Sequence, residues 1–213
     1  MGGKVKKSAI ILLSLLTLTS CEPQYILTEK VVVVEKQVIV DRVKVVPYSL
    51  NTQLNNMMIV VGVVDEELYN KVLNFFTQET KNSKIAKIIL DSAIKYHIPI
   101  ITAFAMAQWE SGYNPTRTNI NKTSTDYGLF QLNSKAFSLT KKQMLDPVIN
   151  ADEAMKHMEK LINRFESIDK GLVAFNCGAI TVATNRVPWS SVRHLLEINT
   201  IKNDLEKRLI MVL

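Results

Sequence analysis

Residues 99–110 read Pro-Ile-Ile-Thr-Ala-Phe-Ala-Met-Ala-Gln-Trp-Glu, a run almost without polar side chains until its end. A surface helix leaves one face polar, so a run this apolar is expected to be a buried inner helix of a helical domain. Pro99 suits a first helical turn, and Gly112 with Pro115 provides the stop. Glu110 then lies at the carboxyl end of that helix, where the helix dipole opposes negative charge and burial beside Trp109 removes solvent. Both effects favour a carboxyl that keeps its proton near neutral pH and can donate it. A surface Glu in a last helical turn is the plain alternative, and the residues that follow turn the balance against it.

Around this run the pattern is mostly helical. Residues 65–80 begin with three acids and set Leu68, Val72, Phe75 and Phe76 along one side. Residues 83–97 set Ile85, Ile88, Ile89 and Ala93 along one apolar face. Residues 116–125 are rich in Thr and Asn without a helical period, which predicts a strand, a turn near Asn121 and Lys122, and a returning strand. Further on, Asn150 is the expected cap of a helix to about Phe165, with Met155, Met158, Leu161 and Ile162 inward. Residues 170–183 form another helix, Pro188 breaks the chain, and residues 199–213 close the domain. The expected class is mainly α, in the α+β sense, with a small hairpin sheet.

Three short motifs carry the chemistry. Glu110-Ser111-Gly112-Tyr113-Asn114-Pro115 is followed by Gly128-Leu129-Phe130-Gln131-Leu132 and then by Ala174-Phe175-Asn176-Cys177-Gly178. In type and order they resemble the soluble-lytic-transglycosylase and lysozyme superfamily of peptidoglycan-cleaving enzymes, over roughly residues 83–188. The resemblance implies a lysozyme-like fold, with Glu110 as catalytic acid and base and Gln131 and Asn176 lining the glycan groove. Ser111, Tyr127, Asn133 and Phe175 join them as substrate-binding candidates. The family's third motif usually has Tyr where this chain has Phe175, and its hydroxyl helps hold the catalytic Glu, so Glu110 is expected to lose a hydrogen bond.

Ser124-Thr125-Asp126-Tyr127-Gly128 resembles a stretch of animal-type lysozymes whose Asp is the second catalytic carboxylate. Retaining glycosidases use two carboxyl groups, the second as nucleophile or stabiliser, so Asp126 is a second catalytic candidate. Its alternative is a hairpin Asp bonded to neighbouring backbone amides. The resemblance therefore implies a lytic transglycosylase that forms 1,6-anhydro-muramic ends. The alternatives are a hydrolase using Glu110 with Asp126, or a catalytically weak glycan-binding lipoprotein.

The first twenty residues hold Lys4, Lys6 and Lys7, no acid, and an apolar run over residues 9–18, as an export signal does. Leu18-Thr19-Ser20-Cys21 resembles a bacterial lipobox, implying cleavage before Cys21 and lipid on its thiol; an ordinary signal peptide is the alternative. The chain has two cysteines, so lipidation of Cys21 leaves Cys177 alone and no internal disulfide is expected. Glu22 after that cysteine resembles the pattern of lipoproteins released to an outer membrane, which places the protein on the periplasmic side. Cleavage would lower the formal charge of +6 to +3, a mild basicity that suits anionic glycan or lipid and identifies no partner. An exported chain without an aromatic-basic stripe is not expected to bind nucleic acid.

Residues 26–46 are dense in valine, interrupted by charged pairs, and favour strand or extended tether over helix. An exposed Val-rich strand invites pairing, so an envelope-protein partner is one expectation and a plain spacer the other. The expected organisation is a signal peptide over residues 1–20, a lipidated extension over 21–64 and the lysozyme-like domain over 65–213. No set of His, Cys or acids has metal-ligand spacing, and no cofactor is expected. The expected partners are peptidoglycan strands and, through Cys21, a membrane.

Overall fold

The computed structural model describes residues 25–34, 37–47, 59–60, 63–64 and 66–213. The predicted export signal, with Cys21 and Glu22, lies outside the described residues. The chain divides into two units, residues 1–49 and 50–213. In the first, β1 (Tyr25–Val34) pairs antiparallel with β2 (Gln37–Pro47), with Val31 opposite Val40, Val32 opposite Ile39 and Val33 opposite Val38. Its register shifts between Thr28 and Lys30.

The second unit opens with two short paired strands, β3 (Ile59–Val60) and β4 (Val63–Val64). Helices α1 (Glu66–Thr80), α2 (Ser83–Lys95) and α3 (Ile100–Ser111) follow. Asn82 caps α2 by accepting from the amides of Lys84 and Ile85. Every residue of α3 from Ile100 to Ala107 is buried, as its all-apolar sequence requires. Phe104 on α3 stacks on Phe76 of α1 with ring centroids 3.5 Å apart. Gly112, in the left-handed region at φ 63°, ends the helix and turns the chain into the sheet.

That sheet has three antiparallel strands in the order β5 (Thr118–Ile120), β6 (Thr125–Tyr127) and β7 (Leu132–Asn133). A short α4 (Lys141–Met144), capped reciprocally by Thr140 and Gln143, leads to α5 (Pro147–Phe165). The cap of α5 differs from the predicted Asn150. Asp146 is the cap, accepting from Val148 and Ile149, with Pro147 in the first turn, and Asn150 is inside the helix and fully buried.

Two further boundaries differ from expectation. The single helix expected over residues 170–183 is α6 (Ile168–Cys177) and α7 (Ala179–Ala183), broken at Gly178, whose φ is 88°. The closing helix α8 (Trp189–Ile210) starts directly after Pro188 rather than at residue 199. Its inward positions are Ser191, His194, Ile198, Leu205 and Leu209. The first two are polar, so the opening turns of α8 lack the apolar stripe by which a helix is read from sequence. Helix α8 packs along α3 and also against α6. An Arg208–Glu79 ion pair ties its far end to α1.

Candidate active site

Glu110 occupies the last turn of α3, with its side chain only 16% exposed. Trp109 does not cover it in the way expected, because that ring is 40% exposed. The shielding group is His194 of α8, whose Nε2 lies 2.8 Å from Glu110 Oε1 while its own side chain is 6% exposed. Trp109 meets the imidazole edge-on, with centroids 6.1 Å apart. The expected loss of a hydrogen bond at Glu110 is therefore made good from a different helix.

Phe175 is half-buried on α6, its ring 5.8 Å from that of His157, which also meets Phe137 edge-on at 5.3 Å. This packing is apolar, and burial together with the Lys160 charge lowers His157 below its ordinary value of 6.5. Asn176, next in the chain, is exposed. Its Oδ1 accepts a 2.6 Å hydrogen bond from Ser191 Oγ of α8.

Ser111 is buried, its hydroxyl donating to the carbonyls of Leu129 at 2.7 Å and Ala107 at 3.1 Å. It ties the end of α3 to the turn of the second motif. In that turn Gly128 has φ 78°, and a Cβ there would lie 2.3 Å from the Met144 carbonyl oxygen and 2.5 Å from Asn150 Nδ2. Only glycine meets both demands. Gln131, itself left-handed at φ 48°, donates from Nε2 to the Gly128 and Arg117 carbonyls at 2.8 and 3.1 Å. Asn150 completes the turn from below: Oδ1 accepts from the Phe130 amide at 2.8 Å, and Nδ2 donates to Tyr127 and Met144 carbonyls at 2.9 and 2.7 Å.

Asp126 is on β6, partly exposed. Asn133 Nδ2 donates to its Oδ1 at 2.6 Å and Asn121 Nδ2 to its Oδ2 at 2.8 Å. Its partners are thus side-chain amides rather than the backbone amides of the simpler hairpin reading. Asn133 also reaches Ser124 Oγ at 2.8 Å, and Tyr127 beside Asp126 has the Lys141 ammonium 5.8 Å from its ring centre. Among the described residues no group of three or more His, Cys, Asp or Glu is placed to hold a metal ion.

The geometry thus brings together Glu110 and His194, and separately Ser191 and Asn176, Asp126 and Asn133, and Gln131 with the turn it closes. Residues 87–187 match the transglycosylase SLT domain. Over this stretch the chain is similar to that family. Members of the SLT family are lytic transglycosylases acting on peptidoglycan. A shorter likeness joins the chain to sheep (Ovis aries) Lysozyme C-3, 59% identical over 32 residues, which are 14% of this chain and 22% of that protein. Goat (Capra hircus) Lysozyme C-1 gives the same identity over 32 residues, 25% of its length. The chain thus spans no more than about a quarter of these curated relatives.

The SLT match ends ahead of α8, so Ser191 and His194 lie beyond it. Neither they nor Asn150 stood among the sequence-predicted site residues. The signal for α8 was the inward series Ser191, His194, Ile198, at spacings of three and four, once the helix is started at Pro188. For Asn150 no local signal existed, because two of its three partners, at 127 and 130, lie twenty or more residues back in the chain.

Proposed function

We propose that the protein is a peptidoglycan lytic transglycosylase that cleaves the β-1,4 bond between N-acetylmuramic acid and N-acetylglucosamine. The observation that carries this is the shielded Glu110 carboxyl, held at one oxygen by His194, within an SLT domain. Glu110 gives its proton to the glycosidic oxygen as the bond from the muramic C1 breaks. The C6 hydroxyl of the same muramic residue then bonds to C1 and returns its proton to Glu110. Bonds and protons balance with no water consumed, and the product carries a 1,6-anhydro end. One carboxyl serves as acid and then as base. Gln131 and Asn176 would border the glycan, with Tyr127 and Asn133 on the sheet side.

A second reading is hydrolysis, and it has its own support. Asp126 has both oxygens fixed by amide donors, as a carboxylate that must stabilise a cationic sugar would need. The short likeness to the C-type lysozymes adds to it. On either reading the protein is exported and anchored through lipid on Cys21, facing the periplasm from the outer membrane. The support is the sequence of residues 1–22 alone.

Mass spectrometry of fragments released from peptidoglycan, with Glu110→Gln as control, tests the proposal. Muramic ends one water lighter than the hydrolysed form are expected. Reducing ends without that loss would make the protein a hydrolase with Asp126 as second carboxylate. A folded, glycan-binding protein that releases nothing would be a binding lipoprotein instead. Labelling of the expressed full chain by a fatty-acid precursor, abolished by Cys21→Ser, tests the anchor.

A further inference from the structure

The SLT match stops short of α8, yet the first turns of that helix touch two of the motif residues. We propose that His194 is the positioning residue of Glu110, its Nε2–H donating to Oε1 so that Oε2 is the oxygen that exchanges protons with substrate. The role assigned to the pair in catalysis rests on the transglycosylase reading above; the pair itself rests on geometry.

The direction of the hydrogen bond follows from the other ring nitrogen. His194 Nδ1 is buried with no hydrogen-bond partner among the described residues. A proton placed there would be a buried donor without an acceptor, and Nε2 would then face the carboxyl with a lone pair. The proton on Nε2 is used at 2.8 Å, and only an unpaired acceptor remains inside. The imidazole is therefore a donor to Glu110.

Such a bond strengthens as Glu110 becomes a carboxylate, the state it reaches after protonating the glycosidic oxygen. With little water at either side chain, the gain is larger than it would be at a surface. The bond also removes Oε1 from proton exchange and fixes the rotation of the carboxyl. Phe175 carries no hydroxyl, and its ring is occupied with His157, so this task falls to α8.

The rest of α8 is built to hold the imidazole still. Ile198, Leu205 and Leu209 are fully buried below it, and the Arg208–Glu79 pair anchors the distal end. One turn before His194, Ser191 donates to Asn176 Oδ1, which leaves the amide nitrogen as that side chain's donor group. The same helix face thus sets the acid and orients a groove residue of the third motif.

The test uses the full chain with His194→Leu and His194→Gln, the second keeping an amide donor at similar reach. On soluble glycan strands, His194→Leu is expected to lower kcat about 100-fold with KM within about twofold, the size of effect expected from a loosened reacting group. His194→Gln should regain about tenfold of that loss. A His194→Leu enzyme within about threefold of the parent, or a folded His194→Gln no better than Leu, would overturn the proposal. Should the Leu variant not fold, long-range proton–nitrogen correlation spectra of the parent decide. The expected pattern is a proton on Nε2 that changes in Glu110→Ala, and a proton on Nδ1 alone overturns the assignment. A parent that cleaves nothing would sink the transglycosylase reading, while the same spectra would still establish or refute the pair.

Discussion

The two candidate catalytic carboxylates, Asp126 and Glu110, are held in opposite ways. Asp126 takes both of its donors from near neighbours, Asn121 in the β5–β6 turn and Asn133 of β7, five and seven residues away. Glu110 takes its partner from His194, eighty-four residues away on another helix, behind a surface that leaves little of either side chain exposed. A carboxylate among exposed amides keeps its orientation from neighbours that fold with it. One held by a distant imidazole has its orientation only when the whole helical core is assembled. The chemistry assigned to Glu110, giving and taking a proton, is the kind that profits from the second arrangement.

The strongest break of this contrast is at the acid itself. Glu110→Gln is expected to lower fragment release by roughly a thousandfold while the urea midpoint stays near that of the parent. Residual cleavage above a tenth of the parent would move the acid elsewhere. Next comes the support beneath the second motif. Asn150→Ala orphans the Phe130 amide and the Tyr127 and Met144 carbonyls, all paired to its buried side chain, and should cost about 3 kcal/mol in chemical unfolding. Gly128→Ala meets both a left-handed backbone and two atoms under 3 Å away, and should cost somewhat less, about 2 kcal/mol or more.

Asp126→Asn sharpens the comparison rather than breaking it. On the cyclising route the anhydro product persists, with a rate within about tenfold of the parent. A loss equal to that of Glu110→Gln would instead make the sheet-side carboxylate a reacting group. The smallest effect is expected from pH. Burial and the Lys160 charge lower His157, so the fold prefers its neutral form and the unfolded chain binds more protons in acid. Its contribution is whole above about pH 6.5 and is lost as pH falls through the lowered value. Urea midpoints between pH 7.5 and 5 should decline less steeply in His157→Phe than in the parent, and equal slopes would remove His157 from the account.

Much of the helix-side architecture was open to reading. The apolar interior of α3 and the stop at Gly112 fixed its burial and the place of Glu110 at its end, since an all-apolar segment has only one stable environment. The Thr- and Asn-rich segment 116–125 holds β5, the turn and the first residue of β6, which runs on to Tyr127. Two of the misreadings share one cause. Asn150 has the composition of a cap but works as a buried hydrogen-bond hub, and the opening of α8 turns polar side chains inward, against the rule that inward means apolar. Glycine at 178 splits a helix that residues 170–183 would otherwise continue.

By itself, then, the amino-acid order determined the helical class, the buried helix that ends in Glu110, the local sheet that carries Asp126 and the motifs by which the SLT domain is recognised. These rest on periodicity, backbone conformational limits and hydrogen bonds between near neighbours, all of which act over a few residues. The tertiary structure alone decided that His194 meets Glu110, that Ser191 orients Asn176 and that Asn150 braces the second-motif turn. Such polar contacts depend on angles and separations between elements far apart in the chain. They are fixed only when α3, α5, α6 and α8 pack together.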